Sequence, residues 1–335
     1  MSERRTSREM LETLVGFPTV SRDSNLPLIE FVRDYLARHG VDSHLVENAD
    51  GSKANLWATI GPDVAGGVVL SGHTDVVPVD GQAWSSDPFT LTERDGRLYG
   101  RGTADMKAFQ AIALALVPEM LAADLKRPIH LALSYDEEVG CLGAPDMIRD
   151  IRARAPAPGA VIVGEPTTMQ VVTQHKGVLG LRTRVTGYEV HSSLMHTGVS
   201  AVSNAARLVA WLDDRTVENR ERAERSGGNP LFDPPYTTVH CGVIKGGTAH
   251  NITARECSFS TDIRTVPGER GETYLERYRT HAAELEAHMH AVHPATGIDI
   301  KVTANAPGCR PETDGAAESL CRRLTGDNGE HVVAF

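Results

Sequence analysis

Gly67-Val68-Val69-Leu70-Ser71-Gly72-His73-Thr74-Asp75 is the stretch that decides the fold. A short apolar run delivers a His and an Asp two residues apart, and such runs mark strands buried on both faces. Downstream, Tyr99-Gly100-Arg101-Gly102-Thr103-Ala104-Asp105-Met106-Lys107 is a Gly-rich turn, followed by an apolar pattern that predicts a helix over about 104–123. A buried strand ending in His-x-Asp, then a turn ending in Asp at a helix start, is a way to build a metal site. His73 supplies a neutral imidazole. Asp75 can hold that ring by accepting its other N–H. Asp105 offers two oxygens, enough to join two metal ions.

Two further apolar runs repeat the design. Ile129 to Tyr135 ends in Asp136-Glu137-Glu138, and Gly159 to Gly164 ends in Glu165-Pro166. Helical patterns separate the runs, which predicts strands of a parallel sheet. Open α/β sheets bind ligands outside the carboxyl ends of their strands. His73, Asp105, Glu137, Glu138 and Glu165 are therefore expected to converge at one rim. Each has an ordinary explanation alone: a packing His, a helix N-terminal charge, a solvated acidic turn, a loop acid. Together they predict a metal centre. Two adjacent acids also suit a division of labour, one binding metal and its neighbour acting as general base.

Outward from this core, residues 6–39 read as a helix, a Pro18-Thr19-Val20-Ser21 turn and a second helix, with Leu28, Ile29, Val32, Tyr35 and Leu36 at helical spacing and Gly40 as the stop. Residues 42–60 read as paired strands about Asp50-Gly51. From Val178 the rhythm changes. Leu179 to Thr186 alternates as a half-buried strand, 199–214 reads as a helix, 237–244 and 256–264 as strands, 273–292 as a helix and 298–302 as a strand. This β-α-β-β-α-β order is the split, ferredoxin-like arrangement. The expected class is α/β: a catalytic domain of residues 1–178 with 305–335, built on a central mostly parallel sheet flanked by helices, and an inserted α+β domain at 179–304. A helix near 314–325 and a strand from His331 to Phe335 close the chain.

With 335 residues the chain is long enough for two domains, and its net charge of -10 argues against nucleic acid or an anionic membrane as partner. The start Met1-Ser2-Glu3-Arg4-Arg5 lacks the apolar core of a signal peptide, and Ala111 to Val117 is too short to span a membrane. Five cysteines, an odd number with no CxxC spacing, predict a reduced cytoplasmic protein. Cys141, close to the acidic pair, reads as a packing thiol.

Five segments in order, Ser71 to Pro78, Tyr99 to Lys107, Asp136 to Gly140, Gly164 to Thr167 and His175-Lys176-Gly177, resemble the co-catalytic zinc aminoacylase, deacetylase and carboxypeptidase family. The resemblance implies two Zn2+ ions, with Co2+ as a substitute. It implies that His73 and Glu165 bind one ion, Asp105 bridges both, Glu138 binds the other, Glu137 is the general base and acid, and Asp75 orients His73. It also implies a cis peptide after Asp105. In the inserted domain, Val190-His191-Ser192-Ser193 resembles a segment whose His steadies the oxyanion. The segments Gly246 to Ile252 and Asp262 to Gly268 imply that Asn251 and Arg264 hold a substrate carboxylate, a structural salt bridge being the other reading of Arg264. The inserted domain is expected to act as a lid and to mediate a homodimer.

Val79-Asp80-Gly81-Gln82-Ala83-Trp84 with Asp87-Pro88-Phe89, and Phe232 to Thr238, resemble the branch of the family that removes acetate from N2-acetyl-L-ornithine in arginine biosynthesis. The alternatives are desuccinylation of succinyl-diaminopimelate or cleavage of another N-acyl amino acid or dipeptide. Members of the family continue beyond the position of Phe335 and supply a final His to the second zinc. The expectation is thus a C-terminally incomplete catalytic domain with a weakened second site, or a metal-binding paralogue without activity. His331 sits too early to be that ligand.

Overall fold

A reciprocal cap starts the first helix, α1 (Ser7–Val15): the Thr6 hydroxyl accepts the Glu9 N–H and the Glu9 carboxylate accepts the Thr6 N–H. The computed structural model describes residues 4–310, 315–330 and 332–334. It divides into two units, Met1–Val171 with Asp314–Asn328, and Val172–Thr313 with Gly329–Phe335.

In the first unit, α2 (Leu26–Arg38) precedes β1 (Ser43–Glu47) and β2 (Ala54–Ile60), which pair antiparallel about the Asp50-Gly51 turn. β3 (Val68–His73) carries the His. A small hairpin, β4 (Thr92–Arg94) and β5 (Arg97–Tyr99), turns through Asp95 at φ 52° and Gly96 at φ 69°, the left-handed pair that a two-residue hairpin loop needs. The helix expected over 104–123 is shorter and broken. Thr103–Lys107 is an irregular turn in which Asp105 has φ -119° and ψ 97°, and regular helix begins only with α3 (Ala108–Ala115). A second piece, α4 (Val117–Ala122), is separate because Pro118 cannot continue the hydrogen-bond ladder of the first. β6 (Ile129–Ser134), α5 (Ala144–Arg154) and β7 (Ala160–Val163) complete the sheet, whose order is β1-β2-β6-β3-β7.

β3 pairs parallel with both β6 and β7, as their apolar runs predict, while β2 runs antiparallel to β6 and β1, so the sheet is mixed. Alternate strand residues serve opposite faces. Leu56, Ala58, Ile60, Leu131 and Leu133 pack on α1 to α3, and Trp57, Val69 and Ala132 pack on Met147 and Ile151 of α5. Because β3, β6 and β7 are parallel, the segments after them, bearing His73 to Asp75, Asp136 to Glu138 and Glu165, leave from the same edge.

The second unit contains β8 (Val172–His175), β9 (Gly177–Thr186), α6 (Ala201–Ser226), β10 (Thr238–Gly246), β11 (Glu256–Thr265), α7 (Gly271–Val292) and β12 (Gly297–Ala306). Its main sheet is antiparallel throughout, in the order β10-β11-β9-β12, the strand order of a ferredoxin-like fold. Tyr278, Leu208, Phe259 and Leu179 centre its separate core. α6 runs twelve residues past its expected end at 214. Beyond that point its apolar stripe thins, and ion pairs such as Arg215–Glu218 at 2.8 Å follow helical spacing instead. His331 and Phe335 lie outside the described residues. Between them β13 (Val332–Ala334) lies parallel to β8, and α8 (Ala316–Thr325) belongs to the first unit.

Candidate metal centre

His73 ends β3 with 2% of its surface exposed. Its Nδ1 lies 2.9 Å from the main-chain oxygen of Asp75 and 3.5 Å from the carboxylate. A carbonyl only accepts, so Nδ1 carries the proton and Nε2 faces the acids. The nearer contact of Asp75 with the ring is therefore its main-chain oxygen, not its carboxylate. Nε2 is 3.0 Å from Asp105 Oδ1, and 3.7 Å from both Glu137 Oε2 and Glu165 Oε1. The Asp105–Met106 peptide is cis, as the resemblance implied.

The Asp75 carboxylate accepts the Glu137 N–H at 3.0 Å, the Glu138 N–H at 3.3 Å and the Ser21 hydroxyl at 2.7 Å. Burial works against its charge, but His73, Ser21 and the Glu137 N–H outweigh burial and hold the carboxyl below its ordinary range. Burial also works against a charged His73, yet Asp75, Glu165 and Glu137 lift the imidazole to about 10. Burial first, then the charge of Asp105, pushes Glu138 up to about 7. Burial likewise pushes Glu165 up to about 7; His73 opposes the rise and Asp105 and Glu137 add to it.

Two triplets hold their ligand atoms within 4.8 Å of one another: His73, Asp105 and Glu138, and His73, Glu137 and Glu165. The implied division of ligands differs, since it puts Glu138 and His73 on separate ions and reserves Glu137 as base. One imidazole and several carboxylates, two of them raised to about 7 by burial and then by neighbouring carboxylates, are a donor set that fits a divalent metal ion.

The remaining predicted residues belong to the second unit. His191 Nδ1 lies 2.8 Å from Ser193 Oγ and accepts the Ser193 N–H at 3.3 Å, which leaves the ring proton on Nε2. Asn251 lies beside it, its carbonyl accepting the Ser192 N–H at 2.8 Å. Arg264 donates to Asp262 at 2.9 Å, the salt bridge that formed its other reading.

Sequence reasoning missed several polar groups around the centre. Gln110 donates to the His73 carbonyl. Lys107 is fully buried and donates to the Phe17 carbonyl at 2.7 Å; burial pulls its ammonium down to about 7, with the charge of Asp75 opposing. Two polar residues one helical turn apart at the head of an apolar run were a usable signal. Ser21 and Lys53, whose partners lie far off in sequence, offered none.

The model of Peptidase family M20/M25/M40 matches residues 69–307. The acetylornithine deacetylase of Pasteurella multocida is 36% identical over 270 residues, covering 78% of this chain and 68% of that protein. That of Myxococcus xanthus is 35% identical over 325 residues, covering 91% and 83%. Among solved structures, an M20 family metallo-carboxypeptidase from Sulfolobus solfataricus superposes with a TM-score of 0.76 at 17% identity, over 98% of this chain and 85% of that one. A dinuclear metal-binding peptidase of the M20 family from Bacillus subtilis gives 0.58 at 14%, over 98% and 82%.

Proposed function

The chain belongs to peptidase family M20/M25/M40, and on that premise we propose that it is a zinc-dependent amide hydrolase that removes acetate from N2-acetyl-L-ornithine to give L-ornithine. One observation carries the reading: His73 and four carboxylates meet at the edge where the three parallel strands end. The substrate is supported by the acetylornithine deacetylases that resemble this chain at about a third identity.

Divalent ions in such a site polarise the acyl carbonyl and make water a stronger acid. In our reading His73 and Glu165 would hold one zinc, Glu138 the other, and Asp105 would serve both. Glu137 takes the proton of the attacking water and delivers it to the leaving amine. Asp75 keeps the His73 ring oriented. His191 donates a hydrogen bond from its Nε2–H to the oxyanion, and Asn251 and Arg264 receive the substrate carboxylate, Arg264 releasing Asp262 to do so. We place the reaction in arginine biosynthesis and in the cytoplasm, a reducing compartment that suits a chain with an odd number of cysteines and no CxxC spacing. No described helix is long and apolar enough to cross a membrane. We also propose that the chain forms a homodimer through its second unit.

The test compares kcat/KM of the zinc-loaded chain on N-acetyl-L-ornithine, N-succinyl-diaminopimelate and a dipeptide. Acetylornithine should be the best substrate, and Glu137→Ala should lower kcat by about a hundred- to ten-thousand-fold. An optimum on the succinyl substrate would make the chain a desuccinylase. Zinc binding without turnover of any of the three would make it a binding protein and end the enzymatic reading.

A further inference from the structure

The Pro18-Thr19-Val20-Ser21 turn sits near the start of the sequence, yet it is tied into the metal-bearing edge. Ser21 N–H donates to the Val76 carbonyl at 3.1 Å, Val76 N–H returns to the Thr19 carbonyl at 3.0 Å, and the Thr19 hydroxyl donates to the Thr74 carbonyl. The Ser21 hydroxyl donates to Asp75 Oδ2 at 2.7 Å, with both side chains buried. That carboxylate in turn fixes the N–H groups of Glu137 and Glu138.

A second tie approaches the same loop from its other end. The Lys53 ammonium donates to the Ser21 carbonyl and to Asp136, the residue before the acidic pair. The Lys53 and Asp136 side chains are only 12% and 14% exposed, so solvent screens this pair little. Asp136 has φ 55°, a left-handed backbone that reverses the chain just ahead of Glu137. Three successive residues are therefore held, Asp136 by Lys53 and Glu137 and Glu138 by Asp75, and both holds return to Ser21.

We propose that Ser21 and Lys53 are positioning residues for the Glu137–Glu138 pair, fixing the backbone from which the base and a metal ligand project. The inference rests on the reading of Glu137 as base and Glu138 as ligand. A glutamate side chain has several rotatable bonds, so its carboxylate is placed no better than its backbone, and small misplacements of a base are costly.

Hydrogen exchange on the metal-free chain tests the hold directly. Ser21→Ala and Lys53→Met should each speed exchange of the Glu137 and Glu138 amides by about tenfold and leave α2 as protected as before. Ser21→Thr and Lys53→Arg, which keep the donor, should restore protection. On the zinc-loaded chain the Ala and Met variants should lower zinc affinity and kcat by about 10–100-fold with KM kept. Unchanged exchange at 137 and 138, or protection lost equally in α2, overturns the proposal. Lys53→Met carries the test alone if Ser21→Ala does not fold. A zinc-loaded parent that hydrolyses no N-acyl amino acid sinks the functional reading, while the exchange result still decides the hold.

Discussion

The protons on His73, Glu138 and Glu165 set how tightly this centre takes a metal. His73 is lifted to about 10, and both glutamates are pushed up to about 7. A metal needs all three deprotonated, so binding expels protons and apparent affinity must rise with pH. Between about pH 7 and pH 9 the imidazole proton dominates and affinity should climb about tenfold per unit; below about pH 7 the carboxyl protons join it and the slope should steepen. Competition with a chelating dye across that range measures the slope, and an affinity flat with pH would contradict these protonation states. Residue by residue, the types were legible in sequence: a His, two acids in tandem and Glu165, each just beyond an apolar run, and Asp105 at the end of a Gly-rich turn. What Asp75 does was only half legible. The spacing put its carboxylate behind the His73 ring, whereas the nearer contact is its main-chain oxygen and the carboxylate is taken up by the N–H groups of residues 62 and 63 positions away. No local pattern encodes that.

At the scale of elements, parallel pairing of β3, β6 and β7 is what brings distant residues to one edge, and it was readable because each strand is a nearly continuous apolar run. The expected burial on both faces fails at β7, which ends the sheet and leaves Val161 and Val163 49% and 57% exposed. Irregular backbone was less readable. The apolar pattern around Asp105 looked helical, yet the turn departs from helix to present the carboxylate, and Pro118 splits the remaining helical stretch in two. The loop bearing the acidic pair shows the same economy of space. It closes where Gly143 donates its N–H to the Tyr135 carbonyl at 3.2 Å, just ahead of α5. A Cβ on Gly143 would stand 2.6 Å from that carbonyl oxygen and 2.8 Å from Asn55 Oδ1. The Tyr135 oxygen is backbone and cannot step aside without moving β6 or the loop. Gly143→Ala should therefore destabilise the chain by about 1–3 kcal/mol, the usual range for overpacking. Urea denaturation reads the loss, and a midpoint equal to that of the parent would show that the loop yields freely.

At the scale of the whole molecule, two separate cores divide the work. The first unit holds the acids and His73, and the second offers a free sheet edge. β10 pairs only with β11 in its sheet, so its other side leaves main-chain N–H and C=O groups without a strand partner among the described residues. Val243 and Ile244 on this strand are 51% and 54% exposed. An apolar edge strand invites pairing with another strand. In a homodimer with two-fold symmetry the same edge meets itself antiparallel, which satisfies both sets of hydrogen bonds and closes the assembly. Lys245, next along the strand, is the sort of charge that discourages open-ended stacking, and a closed pair needs only one such contact per chain. If β10 is the interface, Ile244→Glu sets two like charges near the two-fold axis and should convert the dimer to monomer in light scattering. The variant should keep the parent's zinc stoichiometry, because every proposed ligand lies in the other unit. A monomeric parent would end the homodimer reading, and a variant that stays dimeric would move the interface off this edge.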